Sequence, residues 1–160
     1  MIREAIVRFR ELHEQYKAGQ LGADEVKRYE AEREEFSLAF VQAQQLGLRP
    51  GQSPRQMLRV AFTERVALTI GPRREATMTL DLAVGGFSAD VGPLGTAIIV
   101  DFELGTPPDS VRGKAKVVAS NRQPDGSWRT SFNIQFVPPD DRRKLEVWVL
   151  DAALKSVGKR

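Results

Sequence analysis

Cysteine is absent from the 160 residues, and histidine occurs once, at His13. Disulfides, thiol nucleophiles and thiolate zinc sites are thereby excluded, and one imidazole cannot build a multi-histidine metal centre. No apolar run approaches the roughly 18 residues of a membrane span. The opening Met1-Ile-Arg-Glu4 has no secretory pattern, so a cytoplasmic location without membrane insertion is expected. Charge of one sign is also scarce: 24 Lys and Arg stand against 21 Asp and Glu, a net +3. Residues 1–49 carry 8 basic and 9 acidic side chains, 50–100 carry 5 and 4, and 101–160 carry 11 and 8. Binding a duplex needs a dense cationic face that displaces many counterions, so no DNA partner is expected. A small anion needs only two or three well-placed arginines.

What is present suits a globular protein. Hydrophobic residues are 41% and charged residues 28% of the chain, close to ordinary soluble composition. The length fits one compact domain with an extension, or two very small domains.

The first 46 residues contain no proline and read as two helices. Ile2, Ile6, Phe9, Leu12 and Tyr16 recur at helical steps, and Gly19-Gln-Leu-Gly22 breaks the pattern. A second helix starts after Gly22, with Glu25 in its first turn, and runs to about Leu46, with Val26, Tyr29, Phe36, Phe40 and Ala43 on a thin heptad-like stripe. Such a stripe pairs the two helices as a hairpin or pairs copies of the protein, with Phe36 and Phe40 buried either way. Leu48 to Pro54 holds two prolines and a glycine and is a loop. Beyond it the hydrophobic period changes to two, in runs Val60–Ile70, Ala76–Leu82, Ala97–Leu104, Val111–Ser120 and Trp128–Val137. Breaks at Gly71-Pro72, Gly85-Gly86, Gly92-Pro93, Gly105 to Pro108 and Pro124-Asp-Gly126 have the spacing of an antiparallel β-barrel of five to seven strands. Asp140-Asp141 after two prolines predicts the cap of a terminal helix of about 15 residues, with Leu145, Trp148, Val149 and Ala152 on the packed face.

Catalytic constellations are missing. His13 lies in a charged helix far from any other candidate and is expected at the solvated surface. Asp140 and Asp141 fit capping better than acid–base work, no Walker or Rossmann glycine pattern exists, and the strand aromatics suit a core. No catalytic residue, metal or cofactor is expected, and no enzymatic activity. What stands out is Arg55-Gln-Met-Leu-Arg59, followed by Asp81-Leu-Ala-Val-Gly-Gly86. Two guanidinium forks can bind phosphate or stack on a purine. Asp81 can accept from the N–H donors of a guanine edge, and Gly86 leaves the backbone open to close approach.

These two motifs, in this order and spacing before a barrel and a helix, resemble the PilZ domain family, bacterial receptors for cyclic di-GMP, over about residues 50–156. The resemblance implies a mainly β fold with helices: a six-stranded antiparallel barrel with a C-terminal helix, here behind an N-terminal helical hairpin. It divides the chain into a helical segment 1–47, a loop 48–59 carrying the arginine motif, and a barrel with its helix over 60–156. It implies a cyclic di-GMP site made of Arg55, Arg59, Asp81, Ala83 and Gly86, with the arginines clamping the dinucleotide. Ala83 departs from the family, which has serine there; the lost contact is worth ~0.5–1.5 kcal/mol, about two- to tenfold in affinity. The function implied is a non-enzymatic receptor that signals to a protein partner, with the N-terminal helices open to forming a homo-oligomer. The alternative is an adaptor of the same fold that no longer binds the ligand.

Overall fold

The structure is a computed structural model that describes residues 2–45 and 58–158, with side chains described over 4–42 and 58–155. It falls into two compact units that divide after Leu58.

The first unit is a pair of helices, α1 (Ile2–Lys17) and α2 (Ala23–Gln45). The turn between them is closed by backbone hydrogen bonds. Gly19 N–H donates to Tyr16 O at 3.1 Å and Gln20 N–H to Gln15 O at 2.9 Å, a Schellman arrangement that needs the positive φ of 70° at Gly19. Gly22 O accepts from Val26 N–H at 2.9 Å, and Asp24 and Glu25 occupy the dipole-favoured first turn of α2. The seam is aromatic: the Tyr16 and Tyr29 rings stack at 4.2 Å, and Phe9 stacks on Phe36 at 5.0 Å and on Tyr29 at 5.8 Å.

His13 corrects the expectation of a solvated side chain. It is 1% exposed and its Nδ1 lies 2.6 Å from the Tyr29 hydroxyl, itself fully buried. The residue falls four after Phe9 and three before Tyr16, so helical geometry places it on the seam, and the hydrogen bond offsets the cost of burying two polar ends. Phe36 and Phe40 are half-buried rather than buried, because a seam between two helices covers only one side of a ring.

The second unit is a barrel. Its strands are β1 (Arg59–Ala61), β2 (Arg65–Ile70), β3 (Arg73–Ala83), β4 (Gly86–Ala89), β5 (Ile99–Thr106), β6 (Asp109–Arg122) and β7 (Trp128–Phe136). All described pairings are antiparallel; the order β3-β2-β5-β6-β7-β4 closes by a β3–β4 pairing into six strands, and β1 lies outside on β3. The expected run Val60–Ile70 is thus two strands. Thr79 of β3 fills the interruption: its Oγ1 accepts from Glu64 N–H at 2.9 Å and donates to Phe62 O at 2.7 Å. The four-residue β4 was not among the expected strands, yet it closes the ring between β3 and β7.

Alternation sends Val66, Leu68, Leu82, Phe87, Val100, Phe102, Leu104, Val117 and Phe132 inward, all at most 3% exposed. Phe87 sits between Phe132 at 4.9 Å and Phe102 at 5.2 Å. α3 (Pro139–Gly158) has 20 residues and packs on β6, β1 and β3. Its buried face is Leu145, Val149, Leu150, Ala153 and Leu154, with Trp148 and Ala152 only half-buried. Asp140 and Asp141 lie inside its first turn rather than at its cap, and Asp141 Oδ2 instead accepts from the Arg112 N–H of β6 at 2.9 Å.

Candidate functional site

The site grows out of the side of β3 that turns away from the core. Leu82 points inward, so its neighbours Asp81 and Ala83 point outward. Cross-strand register continues that outer stripe: Asp81 pairs with Ser88 of β4, Ser88 with Ser131 of β7, and Ala83 with both Arg59 of β1 and Gly86 of β4. Arg129, two residues before Ser131 on β7, shares the same side.

Asp81 is the centre. Its side chain is 10% exposed, and each carboxylate oxygen is held by a different arginine. Arg59 Nη1 donates to Oδ1 at 2.6 Å, and Arg129 Nη2 donates to Oδ2. Two guanidiniums on one carboxylate leave a local charge of one positive unit, with Arg129 45% and Arg59 28% exposed. An anion approaching this face meets donors on both sides of the carboxylate. Beside it, the Ser88 and Ser131 hydroxyl oxygens lie 3.4 Å apart.

Ala83 is 3% exposed, with no hydroxyl to offer. A Cβ built on Gly86 would sit 2.3 Å from the Phe132 carbonyl oxygen, so glycine is required there by the close pass of β4 against β7. Arg59 opens β1 rather than ending a loop. Arg55 lies outside the described residues. Arg129 was missed in the sequence. Its position in the alternating stretch Arg129, Ser131, Asn133 opposite Phe132 and Ile134 marks it as outward-facing, but only barrel closure brings it to Asp81.

A separate groove of about 450 Å³ lies on the outer side of β2, β5 and β6, floored by Ala67 and Thr69. Its cations face carboxylates of their own: Arg112 and Arg74 on Glu103, and Lys114 on Asp101 at 3.9 Å. Its three cations exceed its two carboxylates by one positive charge, and it does not include Arg59 or Asp81. Among the described residues no group of three or more His, Asp or Glu is placed to hold a metal ion, and no helix is long and apolar enough to cross a membrane.

No protein-family model and no curated protein sequence matches the chain. Solved structures do. The PilZ domain of YcgR from Escherichia coli, solved with cyclic di-GMP, superposes with a TM-score of 0.54 over 67% of this chain and 97% of that one, at 14% identity. The fold is PilZ-like. MrkH of K. pneumonia in complex with cyclic di-GMP matches this PilZ-like chain with a TM-score of 0.59 at 16% identity, over 68% of this chain and 57% of MrkH. The Bacillus subtilis inhibitor of motility MotI/DgrA matches with a TM-score of 0.58 at 12% identity, over 65% of this chain and 53% of its own. The chain therefore spans little more than half the length of MrkH and MotI, and nearly the full length of the YcgR PilZ domain.

Proposed function

We propose that this PilZ-like protein is a non-enzymatic receptor for cyclic di-GMP that passes ligand occupancy to a protein partner. The observation that carries the reading is the Arg59–Asp81–Arg129 cluster on the outer side of β1, β3 and β7. It combines what a guanine dinucleotide requires: cations for phosphate and an acceptor for guanine N–H donors. The YcgR domain and MrkH, which share the fold, are solved with this ligand. Arg55, four residues before Arg59, belongs to the clamp in this reading, and Ala83 and Gly86 belong to the wall. In this reading the chain works in the bacterial cytoplasm as a helical segment followed by a barrel that Arg59 opens at β1, with the helices available to pair copies of the protein. Calorimetric titration with cyclic di-GMP tests it: heat of binding that is lost in Arg59→Ala supports the receptor, and silence of the wild type at high micromolar ligand overturns it.

A second reading, an adaptor that has given up the ligand, draws on Ala83. A buried alanine stands where the family resemblance places a serine hydroxyl. If the wild type and Ala83→Ser both fail to bind, the adaptor reading takes over.

A further inference from the structure

We infer that Arg129 and Asp81 together read the Watson–Crick edge of guanine, making Arg129 a base-specificity residue of the site; the inference rests on the dinucleotide reading above. An ionised carboxylate is acceptor-only and has about four lone-pair directions. Arg59 takes one on Oδ1 and Arg129 one on Oδ2, so acceptor capacity remains on both oxygens. Guanine presents two adjacent donors, N1–H and the N2 amino group, and beside them the acceptor O6. A carboxylate alone satisfies the donors and leaves O6 without a donor.

Arg129 supplies the missing donor. Its guanidinium is tied through Nη2 to Asp81 Oδ2, which sets the fork beside the carboxylate, and the side chain as a whole is 45% exposed. The side chain stands on β7, paired in register with β4 and β6, so its base is fixed by the barrel. Carboxylate followed by guanidinium offers acceptor, acceptor, donor, the complement of guanine. Adenine presents an acceptor at N1 and a donor at N6, which would set the N1 lone pair against a carboxylate oxygen. Hydrogen-bonding sites of this kind reject the wrong base because a buried polar group is left unpaired.

The test titrates wild type and Arg129→Ala with cyclic di-GMP, cyclic di-AMP and the 6-thioguanine analogue of cyclic di-GMP. The analogue keeps N1–H and the amino group but replaces O6 by a poor sulfur acceptor. We expect Arg129→Ala to lose about tenfold or more for cyclic di-GMP, and to lose little for the thio analogue, which wild type already binds more weakly. The preference over cyclic di-AMP falls in the same proportion. A penalty equal for both guanine ligands means that Arg129 only positions Asp81 and overturns the inference while leaving the receptor standing. No binding of cyclic di-GMP by wild type overturns both. A melting curve checks that the variant folds; should Arg129→Ala not melt cooperatively, Arg129→Lys, which keeps the charge but loses the planar fork, takes its place with the same expected coupling.

Discussion

Arg59 and Asp81, 22 residues apart in sequence, meet at 2.6 Å across the β1–β3 pairing. Arg59 and Asp81 are therefore one electrostatic unit within the barrel. Any anion that drew Arg59 away would compete with Asp81 for it, whereas Arg129 holds the other carboxylate oxygen.

Arg59→Ala is expected to weaken cyclic di-GMP binding by ~1.5–3 kcal/mol, roughly ten- to a hundredfold, since it removes a charge-assisted contact. Calorimetry reads the loss directly. Because Arg129 still holds Asp81, the melting temperature should move only a few degrees; unchanged affinity would remove Arg59 from the clamp.

Ala83→Ser acts in the opposite direction. A hydroxyl at this position should strengthen binding by ~0.5–1.5 kcal/mol. The site is 3% exposed, so the same hydroxyl costs stability if the empty site gives it no partner. Paired measurements of affinity and melting with and without ligand separate the two effects, and a variant that gains no affinity contradicts the expectation.

Tyr29→Phe should destabilise the helical pair by about 1–3 kcal/mol, because the His13 ring nitrogen is buried and loses the hydroxyl at 2.6 Å. Hydrogen exchange of the α1 and α2 amides should report the loss while those of β2 to β7 stay as protected as before.

Asp125 gives a pH-dependent prediction. In the β6–β7 turn its Oδ1 accepts from Ser127 Oγ–H at 2.6 Å and from Ser127 N–H at 2.9 Å. These bonds, the hydroxyl's first, hold its carboxyl below the usual carboxylate range. A carboxylate lowered on folding adds stability above its unfolded pKa and loses it as pH falls through the folded one. Ser127→Ala should raise the Asp125 pKa toward its ordinary value, read by NMR titration of the carboxyl carbon, with the acid limb of turn protection shifting up in pH.

Much of this molecule is legible in the order of its residues, because periodicity and breakers are local. The switch from helical to alternating patterning across Pro50 to Pro54, the alternation that puts Val66, Leu68 and Phe132 on one face of their strands, and the Gly19 turn all follow from neighbours a few positions apart. What escaped depends on distant chain. β4 is four residues beside two glycines, too short to show a period, and is a strand only because β3 and β7 flank it. Arg129 joins the site through a pairing 48 residues away. His13 was misplaced for another reason: its polarity outweighed its spacing, although that spacing had already put it between Phe9 and Tyr16.

The tight pass of β4 over the Phe132 carbonyl bears on how variants of this protein should be interpreted. Even alanine at Gly86 puts a methyl group where a backbone oxygen already is. A Gly86 variant that fails in cells therefore reports first on chain routing, and on a ligand only where the variant still folds. The positions that can speak for a ligand are instead the partly exposed arginines Arg59 and Arg129.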